Sequence, residues 1–182
     1  PRFRVASVFD ISQTDGEPLP ELETPELMGS VENFKVFMKA VQEVSPVPVR
    51  FDEISSGAKG YYSNTEKEIV IQNGMSESQT MKTGIHEVTH AMLHDRDFME
   101  EQGEKKNQMT KEVEAESVAY TVCQYFGLDT SDYSFPYIAG WSSSMDMKEL
   151  RTSMDTIRKT AGSFIDSMTE VIQRLMREQP EL

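Results

Sequence analysis

The chain has 182 residues, which suits a single domain, and its 18 basic and 31 acidic side chains give a formal charge of −13. This acidic excess argues against direct binding to nucleic acid or to an anionic membrane surface, since both require clustered Lys and Arg. The single cysteine, Cys123, excludes an internal disulfide and a zinc module built on several cysteines, and it favours a reducing compartment, the cytoplasm.

The N-terminal part of the chain predicts an arm followed by a helix. Residues 1–29 start as a short extended segment and continue without an apolar period, and the prolines among them prevent a helix. The first residues are too charged for a signal peptide, and no apolar run approaches the roughly 20 residues of a transmembrane helix. Ser30 has the side chain of an N-cap, and it predicts a helix whose apolar period runs to Val44.

The next segment predicts a small sheet. Apolar residues alternate from Val49 to Ile54, and two further strands, 61–63 and 68–71, flank the turn-forming residues 64–67 of a hairpin. The strand at 68–71 directly precedes the next helix. Two interpretations of it stay open: an edge strand that pairs with an extended peptide, or a plain core strand.

The second half of the chain predicts three helices and an aromatic loop. Helices are expected at residues 76–93 and 110–126, the second ended by Gly127, and residues 131–140 form a loop rich in aromatic side chains. Residues 146–177 predict one long helix with a heptad seam, which favours a homodimer through this helix. The apolar positions of the seam are Leu150, Met154, Ile157, Ala161, Phe164, Met168, Val171 and Leu175.

All three histidines of the chain lie within nine residues, on the first of these helices or directly after it. His86 and His90 are four positions apart, so a helix places both on one face, where they can bind one metal ion. Glu87 projects beside that position and can take a proton from a metal-activated water. The opposite face carries the apolar side chains of a core stripe: Met81, Ile85, Val88 and Met92. The spacing therefore predicts a catalytic metal site.

A catalytic metal site of this kind needs a third protein ligand, and the next helix offers three glutamates. Glu112 and Glu116 border its apolar stripe, where an unpaired carboxylate is costly, whereas Glu114 points nearly the opposite way. We expect Glu112 to be the ligand and Glu116 to accept a hydrogen bond from a histidine, but the reverse assignment and an ordinary solvated helix start stay open. His94 is interpreted as a helix-end histidine, rather than as a third ligand or part of a second metal site.

Hydrolysis also needs an electrophile that stabilises an oxyanion, and tyrosine hydroxyls can serve. The sequence does not rank them, because aromatic side chains in loops more often serve packing. The candidates for oxyanion or substrate contacts are Tyr61, Tyr62, Tyr120, Tyr133 and Tyr137.

These motifs resemble those of known metallopeptidases. A His-Glu-x-x-His helix followed by the acidic run at 112–116 resembles the gluzincins. The resemblance is closer to the ImmA/IrrE-type domain, in the ArdC-like and LtrC-like antirestriction branch found on conjugative elements. Four segments carry it: residues 60–62, 86–91, 112–120 and 134–141. It covers roughly residues 30–145, and residues 8–14 also fit this branch.

The resemblance implies one zinc ion per chain, with His86, His90 and Glu112 as ligands and Glu87 as general base. Many gluzincins carry Asp or Asn where this chain has Glu116, so a longer carboxylate could compete for the metal. Members related to ArdC carry a single-stranded-DNA-binding region before the peptidase domain, and only its last few residues are recognisable here. We therefore expect the chain to be a domain of a larger protein of a mobile element.

The predicted fold is α+β and zincin-like. A small antiparallel or mixed sheet packs on the active-site helix and on the glutamate-bearing helix. The expected parts are an extended arm at 1–29, a metallopeptidase-like domain at 30–145, and a long C-terminal helix at 146–182.

The predicted function is a cytoplasmic zinc metallopeptidase that hydrolyses a peptide bond of a protein or peptide with zinc-activated water. Two alternatives stay open. In one, the domain keeps its metal but is a non-catalytic acidic binding module that acts as a decoy for a restriction enzyme or docks a partner. In the other, the metal is structural and the heptad helix drives dimerisation. The substrate is not predictable, because the motif reports the chemistry of the bond and not the sequence around it.

Overall fold

The computed structural model of the protein describes residues 27, 29–103, 105–131, 134 and 147–178. Most of the predicted arm lies outside this part, and so do residues 132–133 and 135–146. The second and third of these segments carry two of the candidate tyrosines, Tyr133 and Tyr137. The described elements are α1 (Phe34–Val44), β1 (Val49–Asp52), β2 (Gly60–Ser63), β3 (Glu68–Gln72), α2 (Glu77–Leu93), α3 (Arg96–Gln102), α4 (Gln108–Tyr125) and α5 (Met147–Glu178). The predicted α+β class with a small sheet and a long C-terminal helix is confirmed.

The sheet has three strands in the order β1-β3-β2, with β1 parallel and β2 antiparallel to β3. The predicted hairpin is therefore confirmed, and Lys67 closes its turn with a φ of 51°. The edge-strand interpretation of residues 68–71 is wrong, because β3 is the central strand. Its consecutive apolar residues, Ile69 to Ile71, are all buried, as a strand covered on both faces requires. Among the described residues, β2 forms the edge of the sheet nearest to the histidine helix.

Helix α2 begins where the sequence predicts, since the side chain of Ser76 caps it by accepting a hydrogen bond from the backbone of Gln79. The helix packs on α4, on α1 and on the strands β2 and β3. Gly84 permits this packing, because a Cβ at that position would lie 3.2 Å from the Cε of Met38 and 3.4 Å from the Cδ1 of Ile71. Helix α2 is therefore buried over most of its circumference, and its histidine face borders an open cleft.

The start of α1 differs from the prediction. The helix begins at Phe34, and Asn33 stands at its N-cap with a φ of 57°, so the prediction that Ser30 caps it is wrong. The preceding residues form a turn instead, in which the backbone N–H of Val31 donates to Glu77 at the start of α2. This contact between segments far apart in the chain holds the turn outside the helix.

Helix α3 was not predicted. Asp95 caps it by accepting from the backbone of Phe98, and Gly103 ends it with a φ of 68°. The helix buries one apolar side chain, Met99, so it has no apolar period that the sequence could reveal.

Helix α5 packs along α1 and α4. Four residues of its heptad seam are buried in the core of the chain: Ala161, Phe164, Met168 and Leu175. Met154 of the same seam is 59% exposed. The second half of the seam thus stabilises this chain itself, and a homodimer through α5, which stays a prediction, would have to use the exposed face of the helix. None of the helices in the described part of the chain is long and apolar enough to cross a membrane.

Candidate metal centre

Three side chains from α2 and α4 meet at the mouth of the cleft. The Nε2 atoms of His86 and His90 lie 3.1 Å apart, and each lies 3.5 Å from the Oε2 atom of Glu112. The three residues offer one ligand atom each, all within 4.8 Å of one another. The packing of α2 on α4 thus creates a group that could hold a metal ion.

The orientation of the His86 ring follows from Glu116. The Nδ1 atom of His86 lies 3.1 Å from the Oε2 atom of Glu116, and a carboxylate at this position accepts the proton that Nδ1 carries. The Nε2 atom of His86 therefore faces His90 and Glu112. Glu116 also accepts from the Nζ of Lys82 at 2.5 Å and from the hydroxyl of Ser134 at 2.6 Å.

The two glutamates proposed from the sequence thus take different positions. Glu112 faces the Nε2 atoms of both histidines, whereas Glu116 faces the far side of one histidine ring and the ammonium group of Lys82. The structure therefore places Glu112 as the candidate ligand and Glu116 as the residue that orients His86. Lys82 was missed in the sequence, although it precedes His86 by one helical turn on the same face.

The two carboxylates of this group are ionised, and they in turn favour a proton on His86. Hydrogen bonds with His86 and His90 hold the pKa of Glu112 well below its usual range. Burial raises the pKa of Glu116, but His86 and Lys82 outweigh burial and lower it to about 2. Burial lowers the pKa of His86, but Glu112 and Glu116 outweigh burial and raise it to about 9. At neutral pH both carboxylates are therefore ionised beside the two imidazoles.

Glu87 lies beside the candidate ligands, in the wall of a cleft of about 340 Å³ that His86, His90 and Glu112 also line. Its side chain is largely buried, with 8% exposed. Gly60 of β2 passes directly over it: a Cβ at Gly60 would lie 2.7 Å from the Cγ2 of Thr83 and 3.3 Å from the Cγ of Glu87. A glycine is therefore needed where the edge strand crosses α2.

The candidate tyrosines differ in their positions. Tyr61 and Tyr62 line the cleft, and Tyr61 is 41% exposed. The hydroxyl of Tyr62 donates to Asp95, and burial together with this carboxylate raises the pKa of Tyr62 to about 12. That hydroxyl is thus engaged away from the metal group. Tyr120 lies one turn beyond Glu116 on α4 and is not among the residues that line the cleft.

Two further residues were given no active role from the sequence. His94 was interpreted as an ordinary helix-end histidine, and Glu114 was predicted to point away from the ligand face of α4. The structure buries both of them, and the Nε2 atom of His94 lies 3.0 Å from the Oε2 atom of Glu114. The signal for His94 was present in the sequence, since it continues the row of His86 and His90 by one more turn.

Comparison with known proteins adds one relative. No family model and no solved structure matches the chain. The chain is 30% identical to an uncharacterized protein of Bacillus anthracis, pXO2-81, over 96% of its own length and 32% of the length of that protein. The chain thus spans about a third of the length of the curated relative that it matches, and the name of that relative assigns no activity.

Proposed function

We propose that the protein is a zinc-dependent metallopeptidase that hydrolyses peptide bonds with Glu87 as general base. The observation that carries this proposal is the triangle formed by the Nε2 atoms of His86 and His90 and the Oε2 atom of Glu112, with side lengths of 3.1, 3.5 and 3.5 Å. At a tetrahedral zinc ion with bonds of about 2.0–2.1 Å, neighbouring ligand atoms are about 3.3 Å apart. The donor set therefore fits zinc in both chemistry and size.

The three candidate ligands and the glutamates Glu87 and Glu116 each have a defined part in the proposed reaction. His86, His90 and Glu112 hold the metal, and Glu116 keeps the His86 ring in the tautomer that presents Nε2. Zinc bound there supplies Lewis acidity, which polarises the scissile carbonyl and lowers the pKa of a water. Glu87 takes the proton of the attacking water and delivers it to the leaving amine.

Two further observations support a peptide as the substrate. The cleft is open to solvent along β2, whose residues Gly60 and Tyr61 form one of its walls. The His-Glu-x-x-His helix and the glutamate of α4 resemble the gluzincins and the ImmA/IrrE-type domain, in which this arrangement accompanies peptide hydrolysis. The association with antirestriction proteins of mobile elements is supported by that resemblance alone.

Substitution of the general base tests the proposal. Zinc-loaded wild type and Glu87→Gln are incubated with a library of peptides from a digested proteome, and new termini are identified by mass spectrometry. We expect the variant to bind zinc as the wild type does and to lose at least about 100-fold in cleavage rate, since general-base catalysis contributes about 10²–10⁴-fold.

Glu100→Gln is the matched control, because Glu100 is exposed on α3 and takes no part in the cleft. It removes the same charge and should cleave at the wild-type rate. Cleavage by Glu87→Gln at the wild-type rate would contradict the mechanism. A wild type that binds zinc but cleaves no peptide would favour the alternative of a non-catalytic acidic binding module.

A further inference from the structure

A chain of hydrogen bonds runs from the back of His90 to a fully buried carboxylate. The Nδ1 atom of His90 lies 3.0 Å from the Nδ1 atom of His94. The Nε2 atom of His94 lies 3.0 Å from the Oε2 atom of Glu114, which also accepts from the Nζ of Lys106 at 2.9 Å. His94 is 4% exposed and Glu114 is 0% exposed, so water does not compete for these contacts.

The proton positions along this chain follow once His90 binds a metal through Nε2. A neutral imidazole carries one proton, so the proton of His90 is then on Nδ1. The Nδ1 atom of His94 must accept it, which places the proton of His94 on Nε2. That proton is donated to Glu114. Each contact then has one donor and one acceptor, and the chain ends on a negative charge.

The burial of Glu114 supports a specific role for this chain. An ionised carboxylate without exposed surface is costly unless several groups compensate it. Here the Oε2 atom of Glu114 faces two donors, the Nε2 atom of His94 and the ammonium group of Lys106. The end of α2 and the segment that precedes α4 thus converge on one carboxylate behind His90.

We propose that His94 and Glu114 are positioning residues that hold His90 in the orientation and tautomer needed to bind the metal. This inference rests on the proposed metal site and extends it. Each histidine ligand then has a support of its own: Glu116 with Lys82 behind His86, and His94 with Glu114 and Lys106 behind His90. Removing such a support typically lowers metal affinity by roughly 10–100-fold.

The affinity for zinc tests the proposal without an activity assay. The dissociation constant is measured by competition with a chromogenic chelator for the wild type, His94→Phe and His94→Gln. Phe keeps the ring but has no nitrogen, so we expect zinc affinity to fall by roughly 10–100-fold. Gln can accept from the Nδ1–H of His90 with its oxygen and donate to Glu114 with its nitrogen, so it should recover part of the loss.

The visible spectrum of the cobalt-substituted proteins gives a second readout. If His90 loses its support, the ligand field changes, so the absorption bands of His94→Phe should shift relative to the wild type, and those of His94→Gln should shift less. Thr89→Val is the matched control. Thr89 is buried on the same helix and donates to the backbone carbonyl of Ile85, so its loss removes a buried hydroxyl without touching the chain.

The outcomes separate this inference from the proposed function. Wild-type zinc affinity and an unshifted cobalt spectrum in His94→Phe would overturn the positioning role while leaving the metal site intact. Equal losses in His94→Phe and Thr89→Val would overturn it as well, because they would indicate a general effect on the fold of α2. If His94→Phe does not fold, a lower zinc affinity together with shifted cobalt bands in His94→Gln supports the role, and wild-type affinity with unshifted bands in that variant overturns it. A wild type that binds no zinc overturns both proposals.

Discussion

The ion pair between Lys82 and Glu116 offers a sharp test of how the site is supported. Both side chains are about 4% exposed, and the Nζ of Lys82 lies 2.5 Å from the Oε2 of Glu116. The substitution Lys82→Met keeps the length of the side chain and removes its charge. Glu116 is then left buried with only its contacts to His86 and Ser134 to compensate its charge.

The structure sets the size of the effect. Removing one partner of a buried ion pair typically costs about 3–5 kcal/mol. Because Glu116 keeps two other hydrogen-bond donors, we expect Lys82→Met to lower the free energy of unfolding by about 3 kcal/mol at neutral pH. Lys39→Met is the control: Lys39 is exposed on α1, so its loss should change stability by less than about 0.5 kcal/mol.

The loss should also depend on pH in a defined direction. The folded-state pKa of Glu116 is about 2, below the ordinary value of 4.5. Its ionised form therefore contributes stability that is present above pH 4.5 and is lost as the pH falls toward 2. Lys82→Met raises the folded-state pKa and reduces this contribution, so the difference from the wild type should shrink below pH 4.5.

Urea unfolding monitored by circular dichroism from pH 7 to pH 3 measures both effects. A chelator is present throughout, because metal binding to the folded state would add its own stabilisation. Stability of Lys82→Met equal to that of the wild type at neutral pH would refute the reasoning. A difference that stays constant down to pH 3 would also refute it, since the charge on Glu116 could not then be its cause.

Three further predictions follow from single contacts. Gly60→Ala should lower the free energy of unfolding by about 1–3 kcal/mol in urea titrations, because the new Cβ would lie 2.7 Å from the Cγ2 of Thr83. An unchanged free energy of unfolding would show that β2 does not pack closely against α2. Phe164→Ala should lower the free energy of unfolding by about 3–5 kcal/mol in the same assay, since Phe164 is fully buried. Met154→Ala, on the exposed side of α5, should lower it little, and equal losses in the two variants would contradict the packing of this helix. Asp95 accepts hydrogen bonds from Lys67 and Tyr62, and these bonds outweigh burial and hold its folded-state pKa below the ordinary value of 3.8. The charge of Asp95 therefore stabilises the fold above pH 3.8, and this stabilisation is lost as the pH falls below that value. Asp95→Asn keeps a good N-cap for α3 and should lose about 1 kcal/mol at pH 7, and a loss that does not diminish in acid would contradict this assignment.

Local chemistry made part of the fold predictable from the sequence. The start of α2 was predictable because Ser76 caps it with a contact three residues away, and the hairpin was predictable because turn residues separate two short apolar runs. The positions of His86, Glu87 and His90 on one helix follow from helical geometry alone. Each of these features depends on residues close together in the chain.

Features that depend on distant contacts were predicted less well. The central position of β3 results from its parallel pairing with β1, which no local pattern specifies. The assignment of Ser30 as the N-cap of α1 failed because Glu77 holds Val31 in a turn instead. Helix α3 has too little buried apolar surface to leave a period in the sequence.

The candidate site shows the same division. The direction of Glu114 on α4 was predicted, but not that a helix-end histidine and a lysine would meet it in the interior. Lys82 is the clearest case. Lysines are usually exposed, so the sequence gives no reason to place Lys82 in the interior, where its partner Glu116 comes from another helix.

The proposed function requires that His86, His90 and Glu112 hold one zinc ion. The most direct test is the zinc content of the purified chain, measured by mass spectrometry of the metal before and after addition of zinc and removal of the excess. We expect about one zinc ion per chain for the wild type and none for the double variant His86→Ala, His90→Ala. A wild type that carries no zinc and takes up none on addition would contradict it.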